Sequence, residues 1–420
     1  MKTQIIGRFI LAFVLMTTAL STAQIVEIDT STIPDEVTFP HEVTIDSLAF
    51  EIPGFAPRGI FTIPGGSWND PPRPKAWKDS CLDGVTIRTY WRDLNPAEGV
   101  EGYDWKELDM MFKKAKDHGK LIHLMVAPGF YSPEWVLDQV ETRKFTVPGG
   151  KAPLQGELQR LPLPWNRKYL DLWFAFVDTL AARYGPDSAL SVVAVTGPNG
   201  HNGEVNLPDS KQEDINTWIT LTGSEDNLKD KVVTAYKETL DHFHKVFAKK
   251  HAKYFSLQIF DRSLPIAITP QNKIIQDAYQ EELIEYARRL ENPKKKFILM
   301  NGGLDAWPWV GVISEKYPVR KKEPDYEPPQ WKRIQKYADR GFITGFQARS
   351  PLARTGDEAF ETERGTALSR HYFRQILRNS IRFNAGFLEL YEADFFDANL
   401  SDLIPSGSVL LRGKCPCGNF

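Results

Sequence analysis

Three cysteines in 420 residues, Cys81, Cys415 and Cys417, are too few to staple a fold with disulfides. Either Cys81 pairs with one of the two tail cysteines, as an exported protein allows, or all three stay free or buried. The Cys-Pro-Cys tail has no second ligand pair near it, so a structural metal site is not implied. An excess of either charge is missing too: 52 Lys and Arg stand against 54 Asp and Glu, a net charge of −2. That balance gives no electrostatic draw toward nucleic acid. Long apolar runs are also scarce. Phe9–Met16 is too short for a stable membrane anchor. With Lys2 and Arg8 around its start and Ser21-Thr-Ala23 behind it, it has the form of a secretory signal over residues 1–23, which implies a periplasmic or extracellular protein. No Gly-x-Gly-x-x-Gly or Walker loop, Gly-x-Ser-x-Gly elbow or His-Glu-x-x-His pair occurs, and no metal or organic cofactor is implied.

What remains is a chain with 42% apolar and 12% aromatic residues, enough for a large core. Short β-branched and apolar runs mark eight strands: Gly59–Ile63, Val85–Trp91, Leu121–Ala127, Leu190–Thr196, Phe255–Phe260, Phe297–Met300, Phe342–Phe346 and Gly386–Leu390. Helical patterns alternate with them at Asp104–His118, Arg167–Tyr184, Leu228–Lys250, Lys273–Leu290, Gln330–Asp339 and Thr366–Phe383. Helix-to-strand links are short and punctuated by Gly119, Gly185, Gly341 and Gly386; strand-to-helix links are long. This asymmetry predicts an α/β fold, a single-domain (β/α)8 barrel over residues 51–405, with the active site on the long loops. A doubly wound sheet is the competing fold. Residues 24–50 form an acidic lead-in and residues 406–420 a tail with a short strand at Val409–Leu411.

Polar residues gather at the predicted strand ends. Strand two ends in Arg88, Tyr90, Trp91, Arg92 and Asp93; strand three runs into Tyr131 and Pro133-Glu-Trp135. Strand four leads to Asn199, His201, Asn202 and Glu204. Strands five to eight offer Asp261, Arg262, Asn301, Asp305, Trp307, Trp309, Gln347, Arg349, Glu389, Tyr391, Glu392 and Asp394. The run Thr89-Tyr-Trp-Arg-Asp-Leu-Asn-Pro-Ala-Glu-Gly, closed by Tyr103-Asp-Trp105, resembles the second-strand signature of clan A glycoside hydrolases. Pro133-Glu-Trp135 resembles an element of their beta-galactosidase-like branch.

That resemblance implies a carbohydrate substrate, a Glu acid/base after strand four and a Glu nucleophile at the end of strand seven. Glu204 matches the first position, although it comes eight residues past Thr196 rather than directly after an Asn. The second position departs from the pattern, because strand seven ends in Gln347, which is never an anionic nucleophile. The partner carboxylate is then Glu389 on strand eight, unless Glu389 is a buried structural group paired with an arginine such as Arg88; Glu392 is a further candidate. Two carboxylates flanking a glycosidic bond carry out its hydrolysis, with retention favoured by the family analogy. Arg88, Trp91, Tyr131, Trp135, Asn199, His201, Asn301, Trp309, Gln347 and Glu392 are the expected substrate contacts, the aromatics stacking on sugar faces. His242 and His244 are expected in solvent, and His123, inside strand three, either satisfies itself in the core or orients a site residue. Gln347 also keeps open a sugar-binding barrel without catalysis.

Overall fold

A computed structural model describes residues 57–65, 69–148, 154–259, 263–291, 296–304, 329–348 and 363–412. Among the described residues lie ten strands: β1 (Gly59–Ile63), β2 (Gly84–Tyr90), β3 (Leu121–Ala127), β4 (Thr142–Thr146), β5 (Leu158–Pro162), β6 (Leu190–Ala194), β7 (Tyr254–Ile259), β8 (Phe297–Leu304), β9 (Ile343–Ala348) and β10 (Ala385–Tyr391). Eight of them close into one parallel barrel in the order β1-β10-β9-β8-β7-β6-β3-β2. The fold is the expected (β/α)8 barrel. β4 and β5 form a separate antiparallel hairpin inside the long connection after β3, which sequence periodicity did not reveal.

Alternation along each strand separates two apolar cores. Phe61, Met125, Val192, Ala194, Tyr254, Ile298, Met300 and Phe387 point into the barrel. Their neighbours Ile60, Leu124, Val193, Leu257, Leu299 and Leu388 point outward, against residues such as Trp173, Leu180, Phe243 and Leu283. Phe61 and Phe387 pack ring to ring, with centroids 5.0 Å apart. Gly84 and Gly345 make room for them, since a Cβ would stand 2.3 Å from the Phe61 ring and 2.7 Å from the Phe387 ring. Alternating large and small residues is how a small barrel fills its taper.

Helix Arg167–Tyr184 begins where Asn166 caps it, its side-chain oxygen accepting from Tyr169 N at 2.9 Å. Trp173, Val177, Leu180 and Ala181 form its buried face, as their spacing predicts. Gly119 and Gly341 take the left-handed conformation that ends a helix; before β10 that conformation belongs to Asn384, not to Gly386.

The C-terminal segment departs from expectation. Val409–Leu411 lies in a helix, Leu403–Arg412, so a boundary at residue 406 falls inside that helix. Its Arg412 donates to Asp83 and to the Cys81 carbonyl, which ties this helix to the turn before β2. Cys415 and Cys417 lie outside the described residues, as do the proposed signal and lead-in. No described helix is long and apolar enough to cross a membrane.

Candidate active site

Inward-pointing residues stack in layers up the barrel. One buried layer is polar: Thr86 (β2), His123 (β3), Ser256 (β7) and Glu389 (β10). His123 Nδ1 lies 2.6 Å from Glu389 Oε1, and its Nε2 lies 3.3 Å from Ser256 Oγ. Thr86 Oγ1 donates to the same Glu389 oxygen. A carboxylate this deep is tolerable only with such partners. The sequence offered Arg88 as its partner, whereas the direct partners are Thr86 and His123, with Arg88 acting on Glu389 through its charge.

The next layer toward the strands' C-terminal ends holds Arg88, Gln258, Gly302, Gln347 and Tyr391. Arg88 Nη2 donates to the Pro64 carbonyl at 2.9 Å. Gln347 Nε2 donates to the Tyr391 hydroxyl at 2.8 Å. Burial raises the Tyr391 phenol above its ordinary value; Arg88 and the Gln347 bond oppose this, and the Glu389 and Glu204 charges add to it. One phenol therefore feels both candidate carboxylates.

Glu204 reaches this layer by an excursion of the chain. Val195 N donates to Ser256 O at 2.9 Å, and Val205 N donates to Gln258 O at 3.0 Å. Successive bonds to alternate carbonyls are one ladder step in a parallel sheet. Val205 thus takes the place on β7 that a residue two past Val195 would take, and Glu204 bridges Gln258 as if it followed the strand directly. Residues 196–203 are looped out. Gly197 must be glycine here, because its φ is +148° and a Cβ would sit 2.8 Å from Trp173 Nε1. Asn199 Oδ1 accepts from Gly197 N at 2.7 Å and its amide donates to Asn202 O, while Phe130 N donates to Gly200 O at 2.9 Å.

Asn202 and Asn206 donate to Glu204 Oε2 at 3.0 and 2.8 Å. Oε1 receives no hydrogen bond from a described residue and faces Gly302, where a Cβ would stand 2.8 Å from it. Burial raises the Glu204 pKa, against the two amides. His201, on the same loop, is pushed down to about 4 by burial, so its imidazole is neutral near pH 7.

The other expected contacts fall elsewhere. Trp91 is fully buried, 5.1 Å from Trp173 and 5.6 Å from Phe176 between ring centroids, so it is core rather than rim. Tyr131 is buried as well, stacked 4.0 Å from Tyr90. Trp135 is half-buried and donates to the Asn95 carbonyl at 3.0 Å. Asn301 points out of the barrel, its amide on Ile259 O at 3.0 Å and its Oδ1 accepting from Gly303 N. Glu392 is 1% exposed and grips Arg73, through the backbone N at 2.8 Å and Nε at 3.0 Å. His244 is not in solvent; it pairs with Glu291 at 2.5 Å, where the helix widens into a π turn at His244–Lys249. Asp261, Arg262, Asp305, Trp307, Trp309 and Arg349 lie outside the described residues. Gln258, Gly302 and Ser256 were not singled out from sequence, although the two-residue alternation of β7 and β8 would have marked them as inward-facing.

No family model and no curated protein sequence matches the chain. Among solved structures it is similar to the catalytic domain of beta-amylase from Paenibacillus polymyxa, at 12% identity and a TM-score of 0.47, over 83% of this chain and 98% of that one. It is also similar to xylanase B from Clostridium stercorarium F9, at 12% identity and a TM-score of 0.44, over 80% of this chain and 86% of that one. A third is beta-galactosidase from the psychrophilic Marinomonas ef1, at 11% identity and a TM-score of 0.44; the match covers 80% of this chain and about half, 54%, of the galactosidase.

Proposed function

We propose that this chain is an exported glycoside hydrolase that cleaves O-glycosidic bonds of an oligo- or polysaccharide with retention, using Glu204 as the proton donor. The observation that carries the reading is the placement of Glu204. It stands at the C-terminal end of the fourth barrel strand with Oε2 held by two amides and Oε1 left open. Glycosidic cleavage needs a carboxylic acid that is still protonated near neutral pH, and burial favours that form of Glu204. Once the proton has passed to the leaving oxygen, the Asn202 and Asn206 amides are in place to stabilise the carboxylate that remains. Glu389 is the second carboxylate of this mechanism, fixed beneath the mouth by Thr86 and His123. No cofactor takes part.

One observation favours a second reading, sugar binding without cleavage: Gln347, next to last in β9, stands in register with Glu389, where the clan A pattern has its nucleophile. A panel of plant and algal glycans separates the two. We expect reducing ends to be released by the wild-type protein, and Glu204→Gln to lose turnover while keeping its fold and its affinity for sugar. Binding isotherms without release, or full turnover in Glu204→Gln, would defeat the proposal.

A further inference from the structure

The two-residue alternation that aims Thr86 and Arg88 into the barrel continues to Tyr90, the last residue of β2, which tops that wall at the mouth. Its ring stacks on that of Tyr131, in the turn after β3, with centroids 4.0 Å apart. Neither ring is open to a sugar, since the two residues are 1% and 0% exposed. Arg92 lies over both, its guanidinium carbon 5.4 Å from the Tyr90 centroid and 5.0 Å from that of Tyr131. This wall of the mouth therefore offers a cation, 37% exposed, rather than an aromatic face.

That cation is unspent. The carboxylate oxygen beside it, Asp93 Oδ1, is 3.9 Å from Nε, too far for a hydrogen bond, and Asp93 Oδ2 takes the Asn69 amide at 3.4 Å. Among the described residues the Arg92 N–H groups find no acceptor. Other arginines at this end of the barrel are occupied: Arg88 by the Pro64 carbonyl, Arg73 by Glu392, and Arg160 by Glu134 and Asp138. The wall is also tied to the acid. Phe130 N, one residue before Tyr131, donates to Gly200 O at 2.9 Å in the loop that leads to Glu204. Gly129 is pressed against the same carbonyl, where a Cβ would stand 2.1 Å from it. In the barrel order β2 is two strands from β6 through β3 and two from β10 through β1, so Arg92 stands between the wall of Glu204 and that of Glu389.

We propose that Arg92 makes this site selective for an acidic glycan, binding the carboxylate or sulfate group of a sugar unit that lies along the β2–β3 side of the mouth. The proposal rests on the glycosidase reading and names its substrate class. A planar guanidinium with unspent N–H groups matches two oxygens of such a group at once. The tyrosine pair holds the guanidinium in place before the sugar arrives, so little side-chain freedom is lost on binding. Glu204 and Glu389 repel an anionic substrate, and a cation on this wall offsets them on one side of the mouth. A neutral glycan leaves the guanidinium in water and gains nothing from it.

The test uses the full-length protein on matched pairs of glycans: polyuronates beside their carboxyl-reduced forms, and sulfated galactans beside their desulfated forms. We expect kcat/KM, or affinity where binding is followed, to be about 10- to 100-fold higher for the acidic member of a pair, as a charge-assisted two-pronged contact supplies. The pair that shows it tells carboxylate from sulfate. Added salt should shrink the ratio. Arg92→Gln should bring the ratio close to one with the fold intact by circular dichroism, and Arg92→Lys, which keeps the charge and loses the fork, should fall between. Equal values for both members of every pair, or a ratio that Arg92→Gln leaves unchanged, would overturn the proposal while leaving glycoside hydrolysis standing. Binding without cleavage would overturn hydrolysis, and the affinity ratio then decides the role of Arg92. Failure of every glycan to be bound or cleaved would overturn both.

Discussion

Gly302→Ala adds one methyl group to the barrel wall beside the acid. The new Cβ would stand 2.8 Å from Glu204 Oε1 and 2.5 Å from Gln258 Nε2, where ordinary contact begins at 3.4 Å. The carboxylate end must therefore retreat by about 0.6 Å and the amide by about 0.9 Å. Both are ends of flexible side chains, and the Gly302 backbone is extended strand that alanine adopts, so the loss of stability should be near the low end of overpacking, about 1 kcal/mol. Proton delivery is far less forgiving. A misplacement near 1 Å costs on the order of 10²-fold, so kcat/KM should fall about 10- to 100-fold, or roughly 1.4–2.7 kcal/mol of transition-state stabilisation. Steady-state kinetics on the best glycan of the panel, run beside a thermal melt, read the two quantities separately. Unchanged kcat/KM at unchanged melting temperature would refute the placement of Glu204 as the acid.

Two further changes probe the network around the site. The amides of Asn202 and Asn206 favour the ionised form of Glu204, so Asn206→Ala raises its pKa further. Activity carried by the protonated acid is lost as pH rises through that pKa, so the alkaline limb of kcat/KM should move to higher pH; a limb that stays or moves down contradicts the role. His123→Ala removes the imidazole that bonds the buried Glu389 carboxyl, and urea unfolding should show a loss of about 1–3 kcal/mol. Adding Glu389→Gln to His123→Ala should restore part of that loss, and strict additivity of the two changes would show that the pair is not coupled.

Much of the barrel was legible because its signals are local. Leu121–Ala127 and Gly59–Ile63 match the expected strands residue for residue, and the glycines at 119 and 341 end helices where expected. The hairpin of β4 and β5 was missed, since its strands carry Thr, Arg, Lys and Gln with little apolar alternation. The C-terminal helix was misread because Val409–Leu411 is a short apolar run, which favours strand or helix equally when read alone. The aromatics misled in a similar way. Trp91 stands at a strand end, but the side on which its ring falls depends on Trp173 and Phe176 in a helix some eighty residues later.

Composition and periodicity by themselves determined a (β/α)8 barrel and which strand ends face its mouth; Gln347 stood out as a departure only against the resemblance to clan A glycoside hydrolases. Only the tertiary structure decided which polar groups meet. Glu204 counts eight residues beyond its predicted strand yet takes the place directly after Val195 on the ladder to β7. Glu389 joins His123 across 266 residues of chain, and Gln347 meets Tyr391 across 44. The reason is physical: alternation tells which face a side chain takes, but only the register between strands, fixed when the barrel closes, sets its height and its neighbour.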